Sequence, residues 1–221
     1  MQTILISVIS SLVASLIYGI LIVVISSTFK KHLVIGINRL LDTGITCIYK
    51  NQNDAVDDIK NCFSKSKTIK VLTLRGNSFL SNMGPLSFIV NDMEEWQNLT
   101  FLISNPYLEN FDENKPCYAK LRADELKKID RQKQKDFLGE IEIDIKKLKS
   151  QAEDANIEGF LHNSPAVFRL LIFDNDLFLL FYASSNRAIN NRVYRCPSSS
   201  ELYTSFNRYF KMIKDVSDKI T

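Results

Sequence analysis

The stretch SPAVFRLLIFDNDLFLLFY, residues 164–182, decides the fold of this chain. It contains two apolar runs, Phe168–Phe173 and Leu177–Tyr182, each with the length and aromatic content of a buried β-strand. The short polar sequence Asp174-Asn175-Asp176 separates them, which predicts a hairpin.

Upstream of this hairpin, further strands alternate with helical segments. The predicted strands are Ile69–Leu74, Leu99–Ser104 and Ile157–Leu161, and the predicted helices begin near Asn53, Pro85 and Tyr118, the last running to Ala152. Ser198 and Glu201 have the spacing of a capping box that opens a final helix. This order predicts an α/β fold with a mixed sheet flanked by helices on both sides.

The N-terminal segment differs chemically from the rest, because Met1 to Phe29 contains no Asp, Glu, Lys or Arg. As a helix, Thr3 to Ser26 would be roughly 36 Å long, enough to cross a hydrocarbon core of about 30 Å. A cleavable signal peptide fits less well, because the segment has no basic start and no A-x-A site. The sequence predicts a transmembrane anchor in 1–29, a helical connector in 30–52 and a soluble domain in 53–221.

The basic residues that follow this span predict its orientation. Lys30, Lys31 and Arg39 follow the span closely, so the positive-inside rule places the domain in the cytoplasm and the N-terminus outside a cell (inner) membrane. The four cysteines are widely spaced and are interpreted as core thiols in a reducing compartment.

Small residues recur every four positions within the span. Ser7, Ser11, Ser15 and Gly19 would form one stripe on a helix, which is a pattern that lets two transmembrane helices pack closely. The alternative is chance, since Ser and Gly are common in such spans. Self-association through this stripe is therefore one hypothesis.

A strand that ends in LISNP is followed by a long charged helix and then by the hairpin. This order of elements resembles the phospholipase D superfamily of phosphodiesterases and nucleases. The resemblance covers roughly Ile45 to Ile213. That family's signature is His-x-Lys, four residues and then Asp. Arg169 stands at the Lys position, Asp174 at the Asp position and Val167 where the nucleophilic histidine belongs. Because valine has no lone pair to attack phosphorus, the resemblance implies a catalytically inactive domain.

Two residues remain as catalytic candidates. His162 lies five residues upstream of the motif histidine position and could replace the missing nucleophile, with Asp174 as its motif partner. The chain would then be a membrane-bound phosphodiesterase or nuclease. The simpler alternative is that Arg169 is a half-buried polar residue and Asp174 a turn residue.

A phospholipase D-like fold would retain the family's groove as a binding groove. The candidate ligand-binding residues lie near the ends of strands or in the loop after the hairpin, and they are Arg75, Asn77, Asn105, Arg169, Asn186, Arg187 and Arg192. Guanidinium groups bind phosphate and asparagine can reach a base or ribose, so a nucleotide or other phosphorylated ligand is expected. A solvated basic loop near an anionic membrane is the alternative.

Composition argues against several other chemistries. The chain has two histidines, His32 and His162, and no His/Cys/carboxylate cluster with ligand spacing, so no metal site and no cofactor are predicted. Phosphate-binding glycine-rich loops and dinucleotide fingerprints are absent from the sequence. A net charge of +3 is too small to indicate nucleic acid by itself and leaves that partner open.

The leading hypothesis is a membrane-anchored, inactive phospholipase D-like domain that acts as a ligand- or partner-binding sensor or effector. The resemblance implies a homodimer or higher homo-oligomer, and the lipid bilayer is the other expected partner. Small anchored proteins of this construction resemble components of bacterial anti-phage operons. A third hypothesis is a structural membrane subunit that docks another protein.

Overall fold

A computed structural model describes residues 44–108, 117–129, 131–152, 156–165, 167–182 and 191–220. Its compact unit begins at Gly44. The strands in these ranges are β1 (Cys47–Tyr49), β2 (Thr68–Thr73), β3 (Asn98–Ser104), β4 (Ile157–His162), β5 (Phe168–Ile172), β6 (Asp176–Phe181), β7 (Val193–Pro197) and β8 (Asp218–Lys219). The helices are α1 (Gln52–Phe63), α2 (Asn77–Leu80), α3 (Phe88–Asn91), α4 (Tyr118–Ile129), α5 (Arg131–Ala152) and α6 (Glu201–Asp215).

The strands form one mixed sheet in the order β1-β7-β6-β5-β2-β3-β4-β8. Strands β2, β3 and β4 are parallel, as expected for strands joined through helices, and β5, β6 and β7 are antiparallel to their neighbours. The motif strand β5 therefore lies at the centre of the sheet, between β6 and β2. The mixed α/β sheet is confirmed.

Both faces of the sheet are covered by helices. The larger core lies on the face that packs against α1 to α5, and it includes the fully buried side chains Ile59, Phe79 and Phe101. The smaller core lies on the other face, where Phe210 and Ile213 of α6 pack on the strands. The alternation of buried side chains along the central strands fills both cores at once.

The predicted hairpin is confirmed. Phe168 pairs with Phe181 and Ile172 with Leu177, and the Phe173 N–H donates to the Asp176 carbonyl oxygen over 2.8 Å. The predicted strands Ile69–Leu74, Leu99–Ser104 and Ile157–Leu161 each match an observed strand within one residue at either end.

Three local sequence predictions differ from the structure. The end of the predicted connector, 30–52, contains β1, which pairs antiparallel with β7, and the first residue of α1. The final helix is capped by Ser200 rather than Ser198, because the Ser200 Oγ accepts a hydrogen bond from the Tyr203 N–H at 3.1 Å. The long charged segment forms two helices, α4 and α5.

The fold class needs one correction. It was expected to include a transmembrane helix ahead of the sheet, but no helix in the described ranges is both long enough and apolar enough to span a bilayer. The fold class is therefore a mixed α/β sheet flanked by helices. The expected span in 1–29 lies outside the described residues.

Candidate functional site

Most of the polar residues that were predicted to bind a ligand lie at one edge of the sheet. We call it the carboxyl edge, because β2, β3, β4 and β6 end there and β5 and β7 begin there. The strand ends at this edge carry Thr73, Ser104, His162 and Tyr182. Ligands in open α/β sheets tend to bind at such an edge.

Thr73 is the centre of the hydrogen-bond network at the carboxyl edge. Its fully buried hydroxyl donates to the Arg75 carbonyl oxygen at 2.8 Å and lies 3.2 Å from the Tyr182 hydroxyl. The Arg169 Nε donates to the same hydroxyl at 3.3 Å, and the Thr73 carbonyl oxygen lies 3.2 Å from the His162 Nε2. One residue of β2 thus joins β4, β5 and the end of β6.

Arg169 points from β5 into the larger core and is only 5% exposed. Its Nη1 donates to the Gln52 Oε1 at 2.6 Å and to the Ser78 Oγ at 3.2 Å, and its guanidinium carbon lies 5.1 Å from the centre of the Phe79 ring. The side chain is held by neutral groups beneath α1 and α2, so it does not face an open groove in this conformation.

His162 is a buried structural histidine. It is 2% exposed, and burial lowers its pKa to about 4, although the hydrogen bond to the Thr73 carbonyl raises it. Because a carbonyl oxygen can only accept, Nε2 carries the proton, and Nδ1 accepts from the Ser164 N–H at 3.3 Å and from the Ser164 hydroxyl at 2.9 Å. With both ring nitrogens engaged, His162 has no lone pair free for attack on phosphorus.

Asp174 lies at the opposite end of β5 from Arg169, at the edge where β2 begins. Its carboxylate accepts from the backbone N–H of Lys67 at 2.6 Å and of Thr68 at 3.1 Å. Since β2 separates the two edges by six residues at about 3.3 Å per residue, Asp174 and His162 do not belong to one catalytic site. Asp174 acts as a turn residue that caps β2.

Replacement of Asp174 by Ala is expected to reduce the free energy of unfolding by about 1–2 kcal/mol, because two backbone donors lose a charged acceptor. Asp174→Asn should reduce the free energy of unfolding by less, since one acceptor oxygen remains. Urea unfolding followed by circular dichroism measures both changes. If Asp174→Ala were as stable as the wild type, the capping role would be wrong.

Arg75 and Asp144 join the carboxyl edge to the long helix α5. The half-exposed Arg75 pairs with Glu140 and lies 5.4 Å from the Phe137 ring centre. The Asp144 carboxylate is 4% exposed and accepts from the Gly76 N–H at 2.8 Å. A Cβ on Gly76 would come within 2.5 Å of the Leu80 Cδ1 and 3.1 Å of the Asp144 Cβ, so a larger residue here would require the Leu80 and Asp144 side chains to shift.

The pKa of Asp144 is raised to about 6 because burial penalises the carboxylate. The Gly76 N–H and the positive charges of Lys147 and Arg75 lower the pKa, whereas Glu140 raises it further. Burial outweighs these favourable contacts. Asp144 is therefore a buried acid whose ionisation changes near neutral pH.

The remaining predicted ligand residues are distributed unevenly. Asn77 and Arg192 are exposed at the carboxyl edge. Asn105 is 7% exposed, and its Oδ1 accepts from the Tyr107 N–H at 2.9 Å. The predicted ligand residues Asn186 and Arg187, and the predicted oligomerisation stripe Ser7, Ser11, Ser15 and Gly19, lie outside the described residues.

Sequence reasoning missed three residues of this site. Asp144 carried a signal, because it follows Ile141 and precedes Ile145 on the inward face of a predicted helix. Thr73 is the one hydroxyl in the apolar run VLTL, which is a weaker signal. Gln52 carried no signal in the sequence, since its position beside Arg169 depends on the tertiary packing of α1.

Within the described ranges, no group of three or more His, Cys, Asp or Glu side chains could hold a metal ion. No protein-family model matches the chain, and no curated protein matches it. Among solved structures, the chain is similar to TrmBL2, an archaeal chromatin protein whose structure shows a novel mode of DNA binding. The identity is 11%, the TM-score is 0.45, and the match covers 94% of this chain and 68% of that one. A likeness this distant says nothing about what this chain binds.

Proposed function

We propose that this chain is a catalytically inactive phospholipase D-like domain that binds a phosphorylated ligand, such as a nucleotide, at its carboxyl edge. The observation that carries the proposal is the arrangement around the motif strand. Val167, at the position of the family's nucleophile, is 54% exposed at this edge and has no nucleophilic atom. His162, the candidate replacement, is buried with both ring nitrogens hydrogen-bonded.

The exposed polar groups at the edge support phosphate and base recognition. Arg192 precedes β7, and Arg75 and Asn77 follow β2. Guanidinium groups donate in a fork that matches phosphate oxygens, and an asparagine amide can bind a base or ribose. The surface therefore offers donors suited to a phosphorylated molecule.

The spacing of the strands favours an extended ligand. Strands β7 and β2 are three steps apart in the sheet order, which corresponds to roughly 14 Å between them. A molecule that contacts both Arg192 and Arg75 must therefore carry separate polar groups. A nucleotide fits this requirement better than inorganic phosphate does.

We expect the full-length chain to be stabilised by one class in a panel of inorganic phosphate, nucleoside monophosphates and cyclic dinucleotides. Arg192→Ala should weaken binding of that ligand by about 10- to 150-fold, since a charge-assisted hydrogen bond contributes about 1.5–3 kcal/mol. Thermal shift identifies the ligand, and isothermal titration gives the dissociation constants.

Lys67→Ala is the matched control, because it removes an exposed positive charge beside Asp174, at the opposite edge. Its affinity should equal that of the wild type. Equal weakening by Lys67→Ala and Arg192→Ala would indicate general electrostatic attraction and contradict a site at the carboxyl edge. Hydrolysis of an activated phosphodiester by the full-length chain would contradict the inactive assignment.

A further inference from the structure

Three aromatic side chains form a row across the sheet near the carboxyl edge, and we call them the aromatic row. They are Phe168 at the start of β5, Phe181 at the end of β6 and Tyr194 on β7. The centre of the Phe181 ring lies 6.2 Å from that of Phe168 and 5.9 Å from that of Tyr194. The ring planes are nearly perpendicular in both pairs, at 84° and 78°. Rings on both adjacent strands therefore restrict the orientation of the Phe181 ring.

Phe181 is the most exposed ring of the aromatic row. It is 47% exposed, whereas Phe168 and Tyr194 are partly buried against the smaller core. The alternation of side chains along β6 places Phe181 on the same face as Leu177 and Leu179, which belong to that core. One exposed apolar side chain is ordinary on a protein surface. Phe181 differs because its ring is held in place next to an exposed arginine.

That arginine is Arg192, the residue that precedes β7. Strands β6 and β7 are antiparallel, and the pair nearest the carboxyl edge joins Leu180 to Val193. One step further along this register, Arg192 stands opposite Phe181. Because Arg192 is two residues from Tyr194, it lies on the face of the aromatic row. Adjacent strands are about 4.8 Å apart, so the Arg192 guanidinium and the Phe181 ring can contact one molecule together.

The Arg192 guanidinium is available to an anion. It is exposed, and no carboxylate oxygen of the described residues lies within 4.0 Å of it. Arg195 on β7 differs, because its Nε donates to the Asp176 Oδ1 at 2.7 Å. A planar guanidinium beside an aromatic ring offers charged donors and an apolar surface to one ligand. A molecule with a phosphate group and a flat ring matches both.

We propose that the Phe181 ring binds the base of a nucleotide. The inference rests on the proposed function, in which Arg192 binds the phosphate, and it identifies the residue that selects a nucleotide over other phosphorylated molecules. Every base has a π-face that packs on an aromatic ring. Because Phe168 and Tyr194 restrict the Phe181 ring before the ligand arrives, less conformational entropy is lost on binding. Such packing detects the presence of a base and tolerates its identity.

Isothermal titration of the full-length chain tests this with adenosine and guanosine 5′-monophosphate, and with ribose 5-phosphate as the matched probe that lacks a base. The wild type should bind at least one of the two nucleotides about 5- to 150-fold more tightly than ribose 5-phosphate, which is the contribution expected of one base–aromatic contact. Equal affinities for all three probes would show that no base is recognised and would overturn the proposal.

Phe181→Ala should lower the affinity for the nucleotide to that for ribose 5-phosphate and leave the affinity for ribose 5-phosphate unchanged. Phe181→Tyr keeps an aromatic ring and should retain the nucleotide affinity, which separates loss of the ring from a folding defect. Ile48→Ala is the matched control, because Ile48 is 43% exposed and pairs with Tyr194, but lies on β1, two strands from β6. It should bind the nucleotide as the wild type does.

Arg192→Ala distinguishes failure of this inference from failure of the proposed function. If it weakened binding of all three probes while Phe181→Ala affected none, the phosphate site would stand and the base site would be wrong. If Phe181→Ala weakened nucleotide binding and Arg192→Ala did not, the base site would stand and the phosphate contact would be wrong. If Phe181→Ala changed only the oligomeric state in analytical ultracentrifugation, the aromatic row would be an interface between copies of this chain, and the proposal would be overturned.

Discussion

The variant His162→Gln is expected to gain stability relative to the wild type as the pH falls from about 6.5 to about 4. In the folded chain the pKa of His162 is about 4, whereas its ordinary value is 6.5. The folded state therefore binds fewer protons than the unfolded state within this window. Acidification costs the wild type about 2–3 kcal/mol through this one residue, and the variant does not incur that loss.

For His162→Gln, the free energy of unfolding at neutral pH and its change with pH are two separate predictions. At neutral pH, His162→Gln should be less stable than the wild type, because glutamine only partly replaces the bonds to Thr73 and Ser164. Urea unfolding at several pH values gives the free-energy difference at each. A difference that does not change between pH 7 and pH 4 would contradict the neutral, buried state of His162.

Asp144→Asn should show the opposite behaviour. The pKa of Asp144 is about 6 in the folded chain and 3.8 ordinarily, so the folded state binds more protons between these values. Its contribution to stability is present below about pH 4 and is lost as the pH rises through 6, by about 2–3 kcal/mol in total. Asparagine still accepts from the Gly76 N–H and carries no charge, so the variant should be more stable than the wild type at pH 8 and similar to it at pH 4.

Glu140→Gln is the control for Asp144→Asn. Glu140 is also on α5 and pairs with Arg75, but its side chain is 42% exposed. Loss of an exposed ion pair changes stability by less than about 1 kcal/mol. If Asp144→Asn behaved like Glu140→Gln across the whole pH range, burial of the Asp144 carboxylate would not destabilise the folded chain at high pH.

These two residues also affect the wild type in an unusual way. As the pH falls from 6.5 to 4, the loss through His162 and the gain through Asp144 are similar in size and opposite in sign. The wild type should therefore show less pH dependence from this region than either single variant. Each variant reveals the contribution of the other residue.

The hairpin could be predicted from the sequence because everything that specifies it lies within residues 164–182. Two apolar runs and one polar turn are local information. The strand order was not local, since β5 pairs with β2, which lies about one hundred residues earlier in the chain. Short strands were missed for a related reason: Cys47–Tyr49 has three residues and becomes a strand only by pairing with β7.

In the candidate site, too, residues could be predicted where local sequence places them and not where tertiary packing does. Arg75, Asn77 and Arg192 could be proposed from the sequence because residues after or before strands reach a sheet edge. The buried state of Arg169 could not be predicted from the sequence, because it depends on the packing of α1 and α2 over β5. For Asp174 the sequence left two alternatives, a motif residue and a turn residue, and its bonds to the Lys67 and Thr68 backbone agree with the second. Motif spacing places it near Arg169 in sequence, while the extended strand separates them in space.

The central claim is that the carboxyl edge binds a phosphorylated ligand and leaves it unchanged. The most direct measurement incubates the full-length chain with the stabilising member of the phosphate and nucleotide panel, removes free ligand, denatures the protein and analyses the released ligand by chromatography. We expect a stoichiometric amount of intact ligand from the wild type and much less from Arg192→Ala. Recovery of a hydrolysed product, or of no ligand at all from the wild type, would contradict the claim.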